Sequence, residues 1–222
     1  MFQLISKKEL IDLTSRQIKN LFTLDRKKEL KLLKNGIIRA LERCEYCFSS
    51  CKNKYYFKGG NIVFNPFHSG QYSIFLYYLS NVLYKESKNS VLADKVYYLN
   101  KVMNSVDIYY EVELPDIFDL DHPMGSVMGR ARYSNYFYFT QHCTIGNNKG
   151  IYPVIGENVI MYAGASIIGD SQIGDNCSIS ARTFIKDQEV PDNSIAFGIS
   201  PNLKIVTKDE LYFRRDNKKW KF

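Results

Sequence analysis

Several familiar ingredients are scarce in this chain of 222 residues. It has three histidines, at 68, 122 and 142, and a single tryptophan, Trp220. Only two of those histidines fall in the second half, so a three-histidine metal centre cannot form there. The five cysteines (44, 47, 51, 143, 177) are an odd number, which argues against a disulfide framework and suits a reducing compartment. Three of them form CEYCFSSC, with thiols at i, i+3 and i+7 of one helix face. No nearby fourth ligand completes a tetrahedral zinc site, so they read as small apolar side chains for packing. No metal is expected. Apolar runs fall far short of the roughly 20 residues that span a bilayer. MFQLISKKEL lacks a basic segment followed by an apolar run of about 7–15 residues, so no signal peptide is read and a cytoplasmic protein is expected.

What is present is enough for real cores, with 45% hydrophobic and 24% charged residues. The net charge of +7 is uneven: residues 1–60 hold 14 Lys/Arg against 6 Asp/Glu, and the remainder 16 against 17. No nucleic-acid motif accompanies the basic region, so it reads as a solvated surface or one that attracts an anionic small ligand.

Residues 6–50 read as helices. Ser6-Lys-Lys-Glu9 fits a capping box ahead of Leu10, Ile11, Leu13 and Ile18. Asp25 is expected to cap a second helix through Leu30, Leu33, Ile37, Leu41 and Cys44, which Gly36 weakens. YYFKGGNIVF reads as a hairpin about Gly59-Gly60, a third helix starts at Pro66, and a fourth runs from Ser90 to Met103. His68 is expected to pack in this helical region. The domain reading is 1–105 mainly α-helical, 106–206 a β domain, and 207–222 a C-terminal cap or tail.

From Asp107 to about Ile205 the helical period vanishes. Ile155, Met161, Ile167, Ile173, Ile179 and Ile185 recur at intervals of six. Val127, Tyr133, Phe139 and Ile145 keep the same interval, as do Ile108, Leu114 and Leu120. Two interruptions occur, seven residues from Leu120 to Val127 and ten from Ile145 to Ile155. The second marks an extra loop at 147–152. A six-residue repeat is the signature of a parallel β-helix, in which three strand-and-corner units close a triangular coil of about eighteen residues. The aliphatic residue points into the prism, and Gly, Ala, Asn and Asp fill the corners. The ends need capping, by the helices on one side and the segment from Thr207 to Trp220 on the other.

The repeat resembles that of the left-handed β-helix acyltransferases, and within them the serine acetyltransferase branch. Leu120-Asp121-His122-Pro123-Met124-Gly125 is similar to the family's L-D-H-A-T-G. Asp107-Ile108, fifteen residues before the histidine, resembles its D-I-H-P. Gly198-Ile199-Ser200-Pro201-Asn202-Leu203-Lys204 more loosely resembles its closing segment. The resemblance implies a left-handed β-helix of hexapeptide repeats behind an α-helical domain, a homotrimer, and acetyl-CoA as donor. It implies His122 as general base, since an imidazole titrates near neutrality, and Asp107 as the carboxylate that orients it. It further implies Asp121 as an acceptor contact, Ala163, Gly164 and Ala181 along the pantetheine arm, and Lys186 and Lys204 at the phosphates. His142 lies one coil beyond the base and is read either as a contact to acceptor or thioester, or as a plain corner residue.

The chain departs from the family at Tyr152-Pro153, where serine acetyltransferases carry His-Pro and the histidine helps bind the amino acid. The loop before it is shorter and lacks the family's glycine-rich stretch. Base and orienter are thus retained while an acceptor contact, now Tyr152, is changed. Aromatic residues 133, 136–139, 152 and 162 suggest a surface for sugar rings. The reading is an acetyl-CoA-dependent O-acetyltransferase acting on a sugar hydroxyl of a surface polysaccharide or its precursor. The alternatives are a serine O-acetyltransferase, a sugar N-acetyltransferase, or a trimeric scaffold without chemistry. No nucleic acid or membrane partner is expected.

Overall fold

The computed structural model describes residues 1–25, 28–215 and 219–221. Two compact units emerge, Met1–Glu111 and Val112–Phe222. Part of the expected C-terminal cap, at 216–218 and 222, lies outside the described residues.

In the first unit, α1 (Lys7–Leu21) opens with the capping box: Ser6 Oγ accepts the Glu9 N–H at 3.2 Å and the Glu9 carboxylate accepts the Ser6 N–H at 2.8 Å. The second helix, α2 (Glu29–Ser49), starts later than Asp25 suggests. Asp25 nevertheless makes cap-like bonds to the helix start: its carboxylate accepts the Lys28 N–H at 3.1 Å, its carbonyl accepts the Glu29 N–H at 3.0 Å, and its own N–H donates to the Glu29 carboxylate at 2.8 Å. Next come α3 (Ser69–Lys85) and α4 (Ser90–Asn104). His68 is the N-cap of α3, its Nδ1 accepting the Gln71 N–H at 3.3 Å. Helix α3 is buried on nearly every side, which matches its all-round apolar sequence. Gly36 has a packing cause: a Cβ there would lie 2.9 Å from Leu79 Cδ1, so glycine lets α2 approach α3 closely. Strand β1 (Phe2–Gln3) pairs in parallel with β3 (Asn61–Phe64), which forms the expected hairpin with β2 (Phe57–Lys58). Strand β4 (Asp107–Ile108) ends the unit. No disulfide joins the five cysteines, all of which are buried.

The second unit is a three-sided parallel β-solenoid. Its lower strands are β5 (Phe118–Leu120), β6 (Val127–Met128), β7 (Arg132–Tyr133), β8 (Phe137–Phe139) and β9 (Thr144–Gly146). Then follow β10 (Val154–Ile155), β11 (Ile160–Met161), β12 (Ser166–Ile168), β13 (Gln172–Ile173), β14 (Ser178–Ile179), β15 (Phe184–Lys186), β16 (Glu189–Val190) and β17 (Ser194–Phe197). Strands β5, β8, β11, β14 and β17 stack into one face, β6, β9, β12 and β15 into a second, and β7, β10, β13 and β16 into the third. Strand β18 (Lys204–Thr207) closes the first face by pairing antiparallel to β17, and α5 (Glu210–Arg215) follows.

The register explains the period. Ile155 sits on Ile173, Met161 on Ile179 and Ile167 on Ile185, each eighteen residues apart, and none of the six is more than 3% exposed. One coil lower, Phe139 pairs with Met161 and Ile145 with Ile167, twenty-two residues apart. The excess is the 147–152 loop, tied by reciprocal 3.0 Å bonds between the backbones of Asn148 and Ile151. Another corner stacks Asn158, Asn176 and Asn193, all with positive φ, in an amide ladder of 2.9 and 3.0 Å bonds.

One position departs from the expected register. Val127 is 42% exposed, and Met128 is the residue turned inward, over Ile145. The cause lies just before it. The corner between β5 and β6 spans 121–126, whereas its equivalent between β8 and β9 spans 140–143, so two additional residues bulge outward and shift the phase. Met128→Ala is therefore expected to destabilise the protein by about 2–5 kcal/mol. Val127→Ala is expected to stay within about 0.5 kcal/mol. Urea denaturation of both variants checks the register, and the reverse ranking would contradict it.

Candidate active site

The enlarged corner carries His122. Its backbone adopts a left-handed conformation (φ 50°), its carbonyl accepts the Met124 N–H at 2.7 Å, and its side chain is exposed. The loop is pinned at its base by buried Ser126, whose Oγ donates to the Thr140 carbonyl at 2.7 Å and accepts the Cys143 N–H at 3.0 Å. Within this unit, among the described residues, nothing hydrogen-bonds the His122 imidazole. It is an exposed imidazole presented on a hydrogen-bonded corner.

Three further corners stack above it. Gly125, His142, Gly164 and Arg182 occupy successive coils, with φ of 71°, 56°, 74° and 60°. Bonds of 2.9 Å link each coil to the one below: His142 N–H to Met124 O, Gly164 N–H to Gln141 O, and Arg182 N–H to Ala163 O. A Cβ on Gly125 would lie 2.5 Å from His142 Nδ1, so that glycine makes room for the imidazole. Above the ring, Ala163, Gly164 and Ala181 leave the corner shallow. The column thus offers an imidazole, a strip nearly bare of side chains, and then the exposed guanidinium-bearing Arg182.

Asp121 stands beside His122. Its Oδ2 accepts the Tyr138 hydroxyl at 2.6 Å and the Lys219 ammonium at 3.0 Å. The ammonium also donates to Tyr138 Oη at 2.6 Å and lies 3.8 Å from the centre of the Tyr138 ring. Partial burial pushes the Asp121 carboxyl upward, but the bonds from Tyr138 and Lys219 and the positive charge of Lys219 outweigh it, and the net shift is downward. Burial, and then Asp121, push the Tyr138 phenol well above its usual range, so it stays a neutral donor.

The other predicted residues lie as follows. Asp107 belongs to the first unit, where its carboxylate accepts the Tyr97 hydroxyl at 2.7 Å and the Lys101 ammonium at 2.6 Å. A carboxylate has about four acceptor positions, so these two bonds leave capacity for another donor. Tyr152 is exposed on the 147–152 loop. Lys186 ends β15 and Lys204 begins β18, both exposed and neither on the His142 corner. The aromatic surface is smaller than the sequence suggests. Phe137, Tyr138 and Phe139 are buried, Tyr133 packs on Phe137, Tyr136 packs on Trp220, and only Tyr152 and Tyr162 of the seven are exposed. Cys143, next to His142, is buried with its thiol pKa raised by desolvation, so it is no thiolate nucleophile. No group of residues able to hold a metal ion occurs among the described residues. Arg182 and Lys219 were not anticipated, and Tyr138 was expected as an aromatic surface rather than as a hydrogen-bond donor to Asp121. Arg182 was detectable, eighteen residues beyond Gly164, whereas the other two meet Asp121 only through the fold.

The bacterial transferase hexapeptide family (six repeats) matches residues 152–187. The chain is 26% identical over 148 residues to serine acetyltransferases of Staphylococcus aureus and Staphylococcus epidermidis. That match takes in 60% of this chain and spans 63% of the length of those relatives. The fold matches that of the Neisseria gonorrhoeae serine acetyltransferase with a TM-score of 0.72 at 20% identity, over 96% of this chain and 84% of that one. A serine acetyltransferase in complex with CoA matches with a TM-score of 0.67 at 18% identity, over 90% of this chain and 84% of the other. Residues 152–187 thus carry the hexapeptide repeat, and the fold is similar to that of the solved serine acetyltransferases.

The lowered Asp121 pKa makes a prediction about acid. The stability it contributes is complete above the ordinary carboxylate value of 3.8 and is lost as pH falls through the lower folded-state value. Asp121→Asn is expected to show a shallower fall in stability between about pH 5 and pH 2 than the parent. Denaturant midpoints measured across that range check it.

Proposed function

We propose that this protein is an acetyl-CoA-dependent O-acetyltransferase, and that its acceptor is the hydroxyl of a small amino acid such as serine. The observation that carries the reading is the corner column: an exposed, rigidly held imidazole next to a second imidazole and a strip of small residues. Acyl transfer from a thioester requires a base at the hydroxyl and room for the donor, and the column offers both.

In this reading His122 takes the acceptor proton as the oxygen attacks the thioester carbonyl. The tetrahedral intermediate collapses with cleavage of the C–S bond, and the imidazolium returns the proton to the departing sulfur. Transfer is direct, since no activated thiolate accompanies the base. Asp107 is assigned to orient the imidazole, as the resemblance implies. His142 is assigned to meet the acceptor or the thioester carbonyl, and Ala163, Gly164 and Ala181 to lie along the pantetheine arm, as the resemblance implies. Arg182 joins Lys186 and Lys204 as a candidate for the phosphates. A homotrimer, with sites between copies, belongs to the same proposal.

For the acceptor, the relatives that carry the name serine acetyltransferase support an amino acid over a sugar. The sugar reading has lost most of its aromatic surface to the core. It rests now on exposed Tyr152 and Tyr162.

The deciding assay follows thiol release from acetyl-CoA with L-serine and with mono- and oligosaccharides as acceptors. Serine is expected to be the productive acceptor, and His122→Ala to lower turnover by roughly 10²–10⁴ with CoA affinity little changed. CoA binding without turnover on any acceptor, and indifference to that substitution, would instead make the protein a scaffold.

A further inference from the structure

The resemblance implies a histidine contact to the acceptor at the position where this chain has Tyr152, and tyrosine carries no charge. The structure shows a cation at the candidate acceptor site from a different part of the chain. Lys219 lies 98 residues from Asp121 in sequence, yet its ammonium rests on that carboxylate and on the Tyr138 hydroxyl. It is held there by its neighbour: Trp220 is fully buried and its ring meets Tyr136 edge-on, with centroids 5.6 Å apart. The pair is not sealed off, because the side chains of Lys219 and Asp121 are 29% and 36% exposed.

We propose that Lys219 determines acceptor specificity, holding the carboxylate of an amino-acid acceptor while Asp121 takes its ammonium. The inference rests on the amino-acid reading given above. Asp119 and Asp121 both act electrostatically on Tyr138, and two carboxylates so gathered would repel the carboxylate of an incoming zwitterion. The ammonium of Lys219 offsets that repulsion. Because Tyr138 stays neutral, the pair presents one positive and one negative end, complementary to an amino acid. The lysine ammonium is held over the Tyr138 ring and on its hydroxyl, so little rotamer freedom remains to be lost on binding.

The test compares the full-length parent with Lys219→Met and Lys219→Arg, using L-serine and L-serinamide, which keeps the hydroxyl and amine but lacks the carboxylate. Lys219→Met is expected to raise KM for serine by roughly 10- to 100-fold, as for loss of a hydrogen bond to a charged group. KM for serinamide and for acetyl-CoA should not move, and Lys219→Arg should recover much of the loss. Emission from Trp220, the only tryptophan, reports whether the segment stays seated in each variant. Equal losses for both acceptors with Trp220 seated, or an unseated Trp220, would reduce Lys219 to a structural role and overturn the proposal. A fall in KM for serine would mean that Lys219 competes with the acceptor's ammonium, and would overturn it too. If the parent turns over neither acceptor, the amino-acid reading itself fails. An active parent whose KM for serine ignores Lys219→Met sinks this inference alone.

Discussion

The second unit depends on coil-upon-coil stacking in parallel register. Backbone N–H groups of the strands and of many corners find a carbonyl one coil away, and inward aliphatic residues land on their equivalents. This fixes where a corner residue stands to within the geometry of a hydrogen bond. A column of left-handed corner residues, Gly125, His142, Gly164 and Arg182, is a direct consequence. Side-chain choice along that column then decides whether the corner is filled or open. An imidazole followed by a bare glycine and two alanines makes an edge on which an extended ligand can lie.

The disturbance of the stack at the 121–126 corner is also its most functional-looking feature. Two additional residues in the 121–126 corner cost the fold its strict period and put Val127 outward. The bulge keeps its shape through a proline, a buried serine that bonds to the next coil, and a glycine that accommodates the neighbouring imidazole. A local break in repeat geometry of this kind is expected where a repetitive scaffold carries chemistry. The Asp121–Tyr138–Lys219 cluster sits on the same corner and binds the C-terminal segment to the lower coils of the unit.

Much of this was legible beforehand. Six-residue spacing announced the solenoid, because a stacked core repeats its apolar demand once per face. Ser6 and Glu9 announced a helix start, because capping is local. The His122 corner was visible as a motif, and the 147–152 loop as a lengthened interval. What sequence could not show are the features set by distant packing. The inward residue after the bulge is Met128 because of the length of the preceding corner, and both neighbours are apolar. The aromatic run at 136–139 looked like a ligand surface, but alternation along β8 and the partner Trp220 commit most of it to the core. Lys219 meets Tyr138 from 81 residues away, and no local pattern marks such a pair.

The central claim is that stacked corners bring His122 and His142 to one donor-binding edge. The chain's three histidines make it directly testable, since their ring resonances are few enough to assign. Titrating CoA into the full-length protein while recording imidazole ¹H–¹⁵N correlations is the decisive measurement. His122 and His142 should shift together and saturate with one affinity, while His68, at the N-terminus of α3, stays still. Saturable CoA binding that leaves both corner histidines unmoved, or that moves His68 alone, would contradict the account.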